Sequence, residues 1–275
     1  MGFIAPIAYK KGMPYATANG IQIYYETEGE GEPLVLIAGY SRDSSHWVTV
    51  REELSRHFQL ILPDNRGCGR TDPPQGPFSI EDMADDVLGL CDVLQIKKPH
   101  ILGHSMGGAI AQSLAYRYPQ RINKVVLSQT FAKFREVGLA VIRASLHLEE
   151  HSVPIRNQLE IVFPWLFSDT LYKDPKKVEM LIEKRIDYLY NASFEVLQKQ
   201  YAAICNFDSS SWYHKINKET LVLAGEQDLL CPLGDCVLMA KNIQGAKVHV
   251  FPLMGHNASI EVPHEFNRVV RDFLT

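Results

Sequence analysis

The chain has 275 residues, of which 46% are hydrophobic and 22% are charged, and its formal net charge is −4. These proportions are those of a globular protein, and the acidic balance argues against a nucleic-acid partner, which would require a basic face. No run approaches the roughly 18 apolar residues of a membrane span. The five cysteines form no C-x-x-C pair, so we predict reduced thiols, most of them packed in the interior, and no metal site.

The N-terminal residues carry a short apolar segment, 3–8, which is interrupted by Pro6. The segment is too short for a signal peptide, and the lysines follow it instead of preceding it. A myristoylation signal would need Ser or Thr where Pro6 stands. We therefore expect a cytoplasmic protein.

The first part of the chain alternates strand and helix patterns. Asn19-Gly20 is a strong hairpin signal between two strand-like stretches, 15–18 and 21–28. Short apolar runs, typical of strands buried on both faces, occur at 34–38, 60–62, 101–102 and 125–127. Helices are predicted over 45–57, over 80–94 after the N-cap residue Ser79, and over 109–118.

The alternation stops at about residue 131. Residues 131–215 are helical in pattern and contain no clear strand. The alternation then resumes with strands at 221–224 and 248–251 and helices at 233–243 and 262–274. This order predicts the α/β class, with a mostly parallel twisted sheet flanked by helices. We predict a core domain of residues 1–130 and 216–275, and a helical insertion, 131–215, called the cap segment below.

A candidate nucleophile lies where a predicted strand meets a predicted helix. Gly103-His104-Ser105-Met106-Gly107 matches G-x-S-x-G, a motif in which a tight turn exposes the serine hydroxyl and small neighbours prevent a clash. The following helix points free N–H groups at developing negative charge. We predict that Ser105 is the nucleophile of an acyl-transfer reaction.

Two further side chains can complete a catalytic triad with Ser105. A serine hydroxyl needs a base within hydrogen-bond reach, and His256 follows the last predicted strand, at the sheet edge where catalytic groups gather. Asp228 follows the preceding strand and gives the chain order Ser, Asp, His that accompanies this motif. Glu226 and Asp64 are the alternatives for the acid, and we interpret Asp64 as a structural partner of its own loop.

The negatively charged oxygen of an acyl-transfer intermediate needs two backbone donors. Met106 directly follows the nucleophile, so its N–H is the first candidate. The second candidate is the N–H of Tyr40, in the segment 38–41 after a predicted strand.

Nearly the whole chain resembles the α/β-hydrolase superfamily. The Ser105 motif and the loop at His256 carry the resemblance, together with two segments. Segment 38–41 is similar to the family's His-Gly segment, although Ala38 replaces the usual histidine. Segment 64–70 is similar to its D-x-R-G-x-G motif.

Two positions next to these segments depart from the family's pattern. Cys68 stands where a variable, often apolar, residue is common, and Thr71 replaces a frequent serine. Within the superfamily, the chain resembles the 3-oxoadipate enol-lactonase-like and pimeloyl-carrier-protein methyl ester esterase-like branches. Residues 65–72 and 206–208 carry that narrower resemblance.

The resemblance implies an α/β-hydrolase fold and a carboxylic ester hydrolase that works through an acyl-enzyme. It implies no cofactor and no metal, and a small to medium acyl ester or lactone as substrate. Aromatic side chains of the first loop and the cap segment are the candidates for substrate binding: Trp47, Phe131, Phe134, Phe163 and Trp165.

Several alternatives share these features. A C–C bond hydrolase or a perhydrolase would use the same triad, and a non-catalytic ligand receptor would use the same fold. Haloalkane dehalogenases and epoxide hydrolases of this fold are disfavoured, because they use an aspartate where Ser105 stands.

A carrier protein is a further candidate partner, as for a pimeloyl-carrier-protein methyl ester esterase of biotin synthesis. A carrier would need a basic docking face. The cap segment has 11 Lys and Arg against 11 Asp and Glu, so it is neutral as a whole. A carrier protein stays among the candidate partners because five basic residues cluster locally: Lys173, Lys176, Lys177, Lys184 and Arg185.

Overall fold

The computed structural model describes residues 14–188 and 190–275. The apolar segment 3–8, with the predictions made on it, lies outside the described residues. Among the described helices, none combines the length and the apolarity needed to cross a lipid bilayer.

The described strands form one eight-stranded sheet. Its strands are β1 (Tyr15–Ala18), β2 (Ile21–Glu28), β3 (Glu32–Ile37), β4 (Phe58–Pro63), β5 (His100–His104), β6 (Val125–Ser128), β7 (Thr220–Gly225) and β8 (Lys247–Phe251). The order across the sheet is β1-β2-β4-β3-β5-β6-β7-β8. Strand β2 pairs antiparallel with both β1 and β4. Along the rest of this order, from β4 through β3 to β8, every pairing is parallel. The predicted mostly parallel sheet is therefore confirmed.

Helices cover both faces of this sheet. They are α1 (Arg51–Leu54), α2 (Ile80–Val93), α3 (Met106–Arg117), α4 (Glu136–Glu150), α5 (Ile155–Leu166), α6 (Asp169–Tyr172), α7 (Pro175–Ile186), α8 (Phe194–Asn206), α9 (Leu233–Asn242), α10 (Ala258–Glu261) and α11 (Pro263–Leu274), with 3-10 turns at Ser44–Trp47 and Tyr213–Lys215. Helix α2 begins with the predicted cap at Ser79, where Ser79 and Asp82 bond each other's backbone N–H.

Alternate residues of the central strands pack into two separate apolar clusters. In β3, Val35 and Ile37 belong to the cluster on one face, while Leu34 and Leu36 belong to the cluster on the other. All four side chains are completely buried. Because both faces are covered, the strand is apolar throughout, as its sequence indicates.

The prediction of one continuous helix over 45–57 is wrong. The chain forms a 3-10 turn, Ser44–Trp47, and then a single helical turn, α1. Between them lies Val48-Thr49-Val50, and β-branched side chains restrict rotamers in a helix. The carboxylate of Asp43 accepts a bond from Ser45 N–H and starts the 3-10 turn.

The cap segment lies between β6 and β7 and contains α4 to α8. Its two ends are held side by side, because Lys133 and Asp208 form an isolated bridge. The N–H of Ser209 also donates to the carbonyl of Ala132 over 2.9 Å. The chain therefore leaves the sheet and returns to it at one place. We keep the boundaries of 131 and 215 as a proposal.

Candidate active site

Ser105 occupies a strained turn between β5 and α3. Its φ is 54° and its ψ is −118°, a conformation that costs an L-residue on the order of 1–3 kcal/mol. Two bonds hold it: Ser105 N–H donates to Ser128 O over 2.9 Å, and Ser105 O accepts from Thr130 Oγ1 over 2.7 Å. Neighbouring β6 and the residues after it thus anchor the turn.

The two glycines of the motif are required by close backbone contacts. A Cβ on Gly103 would lie 2.0 Å from Gly107 O, and a Cβ on Gly107 would lie 2.2 Å from Ile37 O. A side chain on Gly103 would therefore push α3 away from β5, and one on Gly107 would push the turn away from β3. This is the physical reason for the G-x-S-x-G pattern at Ser105.

Asp228 and His256 are joined in the interior. Asp228 Oδ2 lies 2.8 Å from His256 Nδ1, and both side chains are buried. Asp228 Oδ1 accepts the N–H groups of Leu230 and Cys231 over 2.9 and 2.8 Å. A carboxylate can only accept, so the proton lies on Nδ1 and leaves Nε2 of His256 free to act as a base.

The two alternative acids are engaged elsewhere. Glu226 is exposed, and its Oε2 accepts the N–H of Leu253 over 2.8 Å. Asp64 is buried and accepts the N–H groups of Ser44 and Arg70, each over 2.9 Å. Desolvation raises the pKa of Asp64. Asp64 therefore organises the loop after β4, and Asp228 is the carboxylate placed on His256.

The two candidate oxyanion donors lie on backbone that adjoins Ser105. Met106 is the first residue of α3, so its N–H has no acceptor within the helix. The loop of Tyr40 packs against the same place, because a Cβ on Gly39 would lie 3.2 Å from Ser105 Cβ. The geometry suits stabilisation of an oxyanion between the two loops.

Two histidines outside the predicted triad form a row with His256. The rings of His46 and His104 stack with their centroids 4.6 Å apart, and the ring of His104 lies 4.8 Å from that of His256. Burial lowers the pKa of both His46 and His104 well below the ordinary value. Both are neutral near pH 7. Only the position of His104 inside the serine motif could have drawn attention to them in the sequence.

Two arginines lie between the cap segment and the core near this row. Desolvation lowers the pKa of Arg42, and desolvation followed by repulsion from Arg42 lowers the pKa of Arg185 to about 10. Among the described residues, Arg42 has no carboxylate within salt-bridge distance. The nearby Asp43 accepts bonds from Ser45 and from the hydroxyl of Tyr188. The carboxylate of Asp43 attracts both guanidinium groups, and Arg185 also donates to Asn191 Oδ1. Two positive charges therefore lie near one carboxylate in this region.

The described positions correct the prediction for Trp47 and describe part of the basic cluster. Trp47 has no accessible surface and packs with Val50 and Leu54 in an apolar cluster of the core, so its side chain serves packing and offers no surface to a substrate. Arg185 is partly exposed, its Nη1 donates to Asn191 Oδ1, and it lies close enough to Arg42 for repulsion to lower its pKa. Lys173, which was grouped with it, is exposed and pairs with Asp169.

The other predicted lining residues separate into two groups. Phe131 and Phe134 stack with ring centroids 4.6 Å apart and join the apolar cluster that α3 and α4 share. Phe163 is buried against Phe167 in a cluster of the cap segment's own helices. Trp165 is partly exposed. Trp165 packs against the same cluster as Phe131 and Phe134, whereas Phe163 lies in a different cluster.

Two groups of described residues have a metal-like set of donor atoms. One is Asp228, Cys231 and His256, whose atoms lie within 4.8 Å of one another. Its carboxylate and imidazole already bond each other, which favours proton chemistry there. The other is His147, Glu150 and His151, an exposed set at the end of α4.

Comparison with known proteins gives a consistent result. Residues 32–181 match a family model described as the alpha/beta hydrolase fold. A 2-hydroxy-6-oxo-2,4-heptadienoate hydrolase of Pseudomonas putida is 30% identical over 94% of both chains. 3-Oxoadipate enol-lactonase 2 of Acinetobacter baylyi is 28% identical over 92% of this chain and 93% of its own.

The fold agrees with that of solved structures. The enol-lactonase of Burkholderia xenovorans LB400 is 29% identical, with a TM-score of 0.83 over 95% of this chain and 99% of its own. These relatives are hydrolases, which supports an enzymatic function. With a family model that covers more than half of its length and a relative of this similarity, the chain belongs to the α/β-hydrolase family.

Proposed function

We propose that the protein hydrolyses a carboxylic ester or lactone through an acyl-enzyme formed on Ser105. The observation that carries this proposal is the buried pair of Asp228 and His256, 2.8 Å apart, together with the strained turn that presents Ser105. Such a pair orients the imidazole and stabilises its protonated form, which is the task of the acid in a serine triad.

The proposed reaction has two similar halves. Ser105 Oγ attacks the ester carbonyl carbon while His256 Nε2 takes the hydroxyl proton, and the bond to the leaving oxygen then breaks as His256 returns that proton. Water attacks the acyl-Ser105 in the same way and regenerates the hydroxyl. The N–H groups of Tyr40 and Met106 hold the oxyanion in both halves.

We further propose that the substrate carries a carboxylate in addition to the scissile bond. Arg42 and Arg185 support this, because two poorly solvated guanidinium groups that repel each other gain most from an anion between them. Both remain charged at neutral pH. The names of the relatives from Pseudomonas putida and Acinetobacter baylyi also describe acids, a heptadienoate and an oxoadipate.

A second candidate is hydrolysis of a C–C bond in an unsaturated oxo acid. The same two arginines favour it, since such a substrate also carries a carboxylate. The name of the Pseudomonas putida relative describes a substrate of this kind. The triad would be unchanged, so only substrate tests distinguish the two candidates.

The test compares two esters that differ in one group. p-Nitrophenyl hydrogen glutarate and p-nitrophenyl pentanoate have similar length, but only the first ends in a carboxylate. We expect kcat/KM for the acid to exceed that for the neutral ester by about 10-fold or more, a difference of about 1.4 kcal/mol. Hydrolysis of a 2-hydroxy-6-oxo-dienoate with neither ester turned over would favour the second candidate. Equal rates for the two esters would contradict the carboxylate requirement.

A further inference from the structure

The loop that carries the Tyr40 donor contains a tight turn with a strained residue. Arg42 N–H donates to Gly39 O over 3.2 Å, which closes a four-residue turn. Its third residue, Ser41, has a φ of 60°. A positive φ at that position is the mark of a type II turn, where Gly or Asn is the usual residue. With serine there, the turn needs support from its surroundings.

A single buried amide from the cap segment supplies that support. Gln200 of α8 has no accessible surface, and its Oε1 accepts the N–H of Ser41 over 2.9 Å. Its Nε2 donates to the sulfur of Cys68 over 3.1 Å. Because a backbone N–H can only donate, the amide oxygen must face Ser41, which sets the orientation of the whole amide.

The peptide that carries the Tyr40 N–H is thus held on both sides. On one side, Asn65 Nδ2 donates to the carbonyl of Ala38 over 2.8 Å. On the other side, Gln200 holds the peptide between Tyr40 and Ser41. Type I and type II turns differ by a rotation of that second peptide. Without the acceptor of Gln200, the rotation would relieve the strain at Ser41 and displace the loop next to Ser105.

We propose that Gln200 is a positioning residue of the oxyanion hole, through which the cap segment holds the Tyr40 loop in its working conformation. This inference rests on the proposed function. It makes the cap segment part of the catalytic machinery, because α8 must be docked for the donor to be placed. The docking of α8 and the formation of the oxyanion hole are then coupled.

The test replaces the amide and leaves every group that contacts substrate in place. Gln200→Leu removes both hydrogen bonds, and Gln200→Glu keeps an acceptor for Ser41 N–H. The matched control is Gln112→Leu. Gln112 is an equally buried amide, which donates to Phe131 O over 2.9 Å and accepts from Ser209 Oγ over 2.7 Å. It too joins core and cap segment, but neither of these partners belongs to the oxyanion loop.

Two measurements separate positioning from stability. The first is kcat/KM for p-nitrophenyl acetate, and the second is the inhibition constant of trifluoroacetophenone, which forms a reversible adduct whose oxyanion needs the hole. For Gln200→Leu we expect kcat/KM to fall by about 10- to 100-fold and the inhibition constant to rise by a similar factor. Gln200→Glu should recover most of both losses. Gln112→Leu should lower Tm without changing the inhibition constant.

The outcomes distinguish this inference from the proposed function. A wild type that neither hydrolyses the ester nor reacts with a fluorophosphonate overturns the proposed function and, with it, the role of Gln200. An active wild type whose Gln200→Leu variant binds trifluoroacetophenone within about 2-fold of normal overturns the inference alone. Equal losses in Gln200→Leu and Gln112→Leu would also overturn it, because they would show a general effect of core–cap contact.

Discussion

The backbone N–H of His256 donates to the carbonyl of Leu166 over 3.0 Å, so the last residue of α5 is bonded directly to the candidate base. The contact requires Gly255, since a Cβ there would lie 2.7 Å from the backbone of Phe167. Asn257 Nδ2 donates to the same carbonyl over 3.1 Å. The cap segment therefore contacts the His256 loop through α5 and the Tyr40 loop through α8.

Ser105 should be the residue that reacts covalently. A fluorophosphonate probe should label the wild type at Ser105, because Ser105 occupies the strained turn between β5 and α3 and the proposed mechanism gives it His256 as its base. Mass spectrometry of the labelled peptide locates the adduct. Ser105→Ala should be folded and unlabelled, and full labelling of that variant would contradict the assignment.

Loss of the carboxylate of Asp228 should reduce turnover far more than it reduces binding. An amide at this position can donate to the imidazole and favours the wrong tautomer, so Asp228→Asn should lower kcat by roughly 10³- to 10⁴-fold. Steady-state kinetics with p-nitrophenyl acetate measures the effect.

The matched control for that change is Glu226→Gln, whose side chain is exposed and bonds Leu253. It should keep near-normal activity. Asp64→Asn should instead lose stability, because Asp64 accepts buried backbone bonds. A folded Glu226→Gln without activity, beside an active Asp228→Asn, would show that the acid has been misassigned.

Removing the charge of Arg42 or Arg185 should abolish the preference for an acidic substrate. In Arg42→Met and Arg185→Met, the ratio of kcat/KM for p-nitrophenyl hydrogen glutarate to that for the pentanoate should fall by about 10-fold or more. Arg135→Met is the control, because Arg135 is exposed and paired with Asp235. A ratio that stays at the wild-type value in both test variants would remove the carboxylate from the proposal.

The buried histidine row should make the protein sensitive to mild acid. Burial holds the pKa of His46 and His104 below the unfolded value of about 6.5. Below that pH, these two histidines become protonated in the unfolded chain but stay neutral in the folded protein. The contribution of these histidines to the free energy of unfolding is therefore fully present above about pH 6.5. It is lost as pH falls, by up to about 1.4 kcal/mol per pH unit for each histidine.

Replacing one of these histidines measures its contribution to the pH dependence of stability. His46→Phe preserves an aromatic ring and removes the titrating group, so its Tm should fall less steeply than that of the wild type between pH 7 and pH 5. Thermal unfolding across this range is the measurement. His264→Asn, which changes an exposed histidine, should follow the wild-type curve. Parallel curves for His46→Phe and the wild type would contradict the prediction.

Phe163 and Trp165 should differ when truncated. Phe163 is buried among the cap segment's own helices, so Phe163→Ala should mainly destabilise the protein, by about 3–5 kcal/mol. Trp165 is partly exposed, so Trp165→Ala should instead change the ranking of short and medium acyl esters. Each methylene that loses its contact should change the activation free energy by about 1–3 kcal/mol. Acyl-series kinetics and thermal unfolding of both variants test this. A common factor across all esters in Trp165→Ala would place substrate selection elsewhere.

The sequence by itself determined the parts of this protein that depend on local pattern. Apolar runs specify the parallel strands, because a strand covered on both faces has no polar side to show. The glycines around Ser105 specify the turn, because close backbone contacts exclude any side chain there. The positions of Asp228 and His256, directly after two neighbouring parallel strands, were enough to predict that these two groups meet at one sheet edge.

Tertiary structure alone decided which side chains fill the space between those elements. Ser41 and Gln200 are 159 positions apart, and no periodicity relates them. Trp47 follows a loop whose direction is set by Asp64 and its backbone bonds, so its burial was not readable from its neighbours. Arg185 lies in a basic stretch, yet its nearness to Arg42 depends on how α7 packs. Contacts between distant segments, and the desolvation they cause, are decided only when the whole chain is folded.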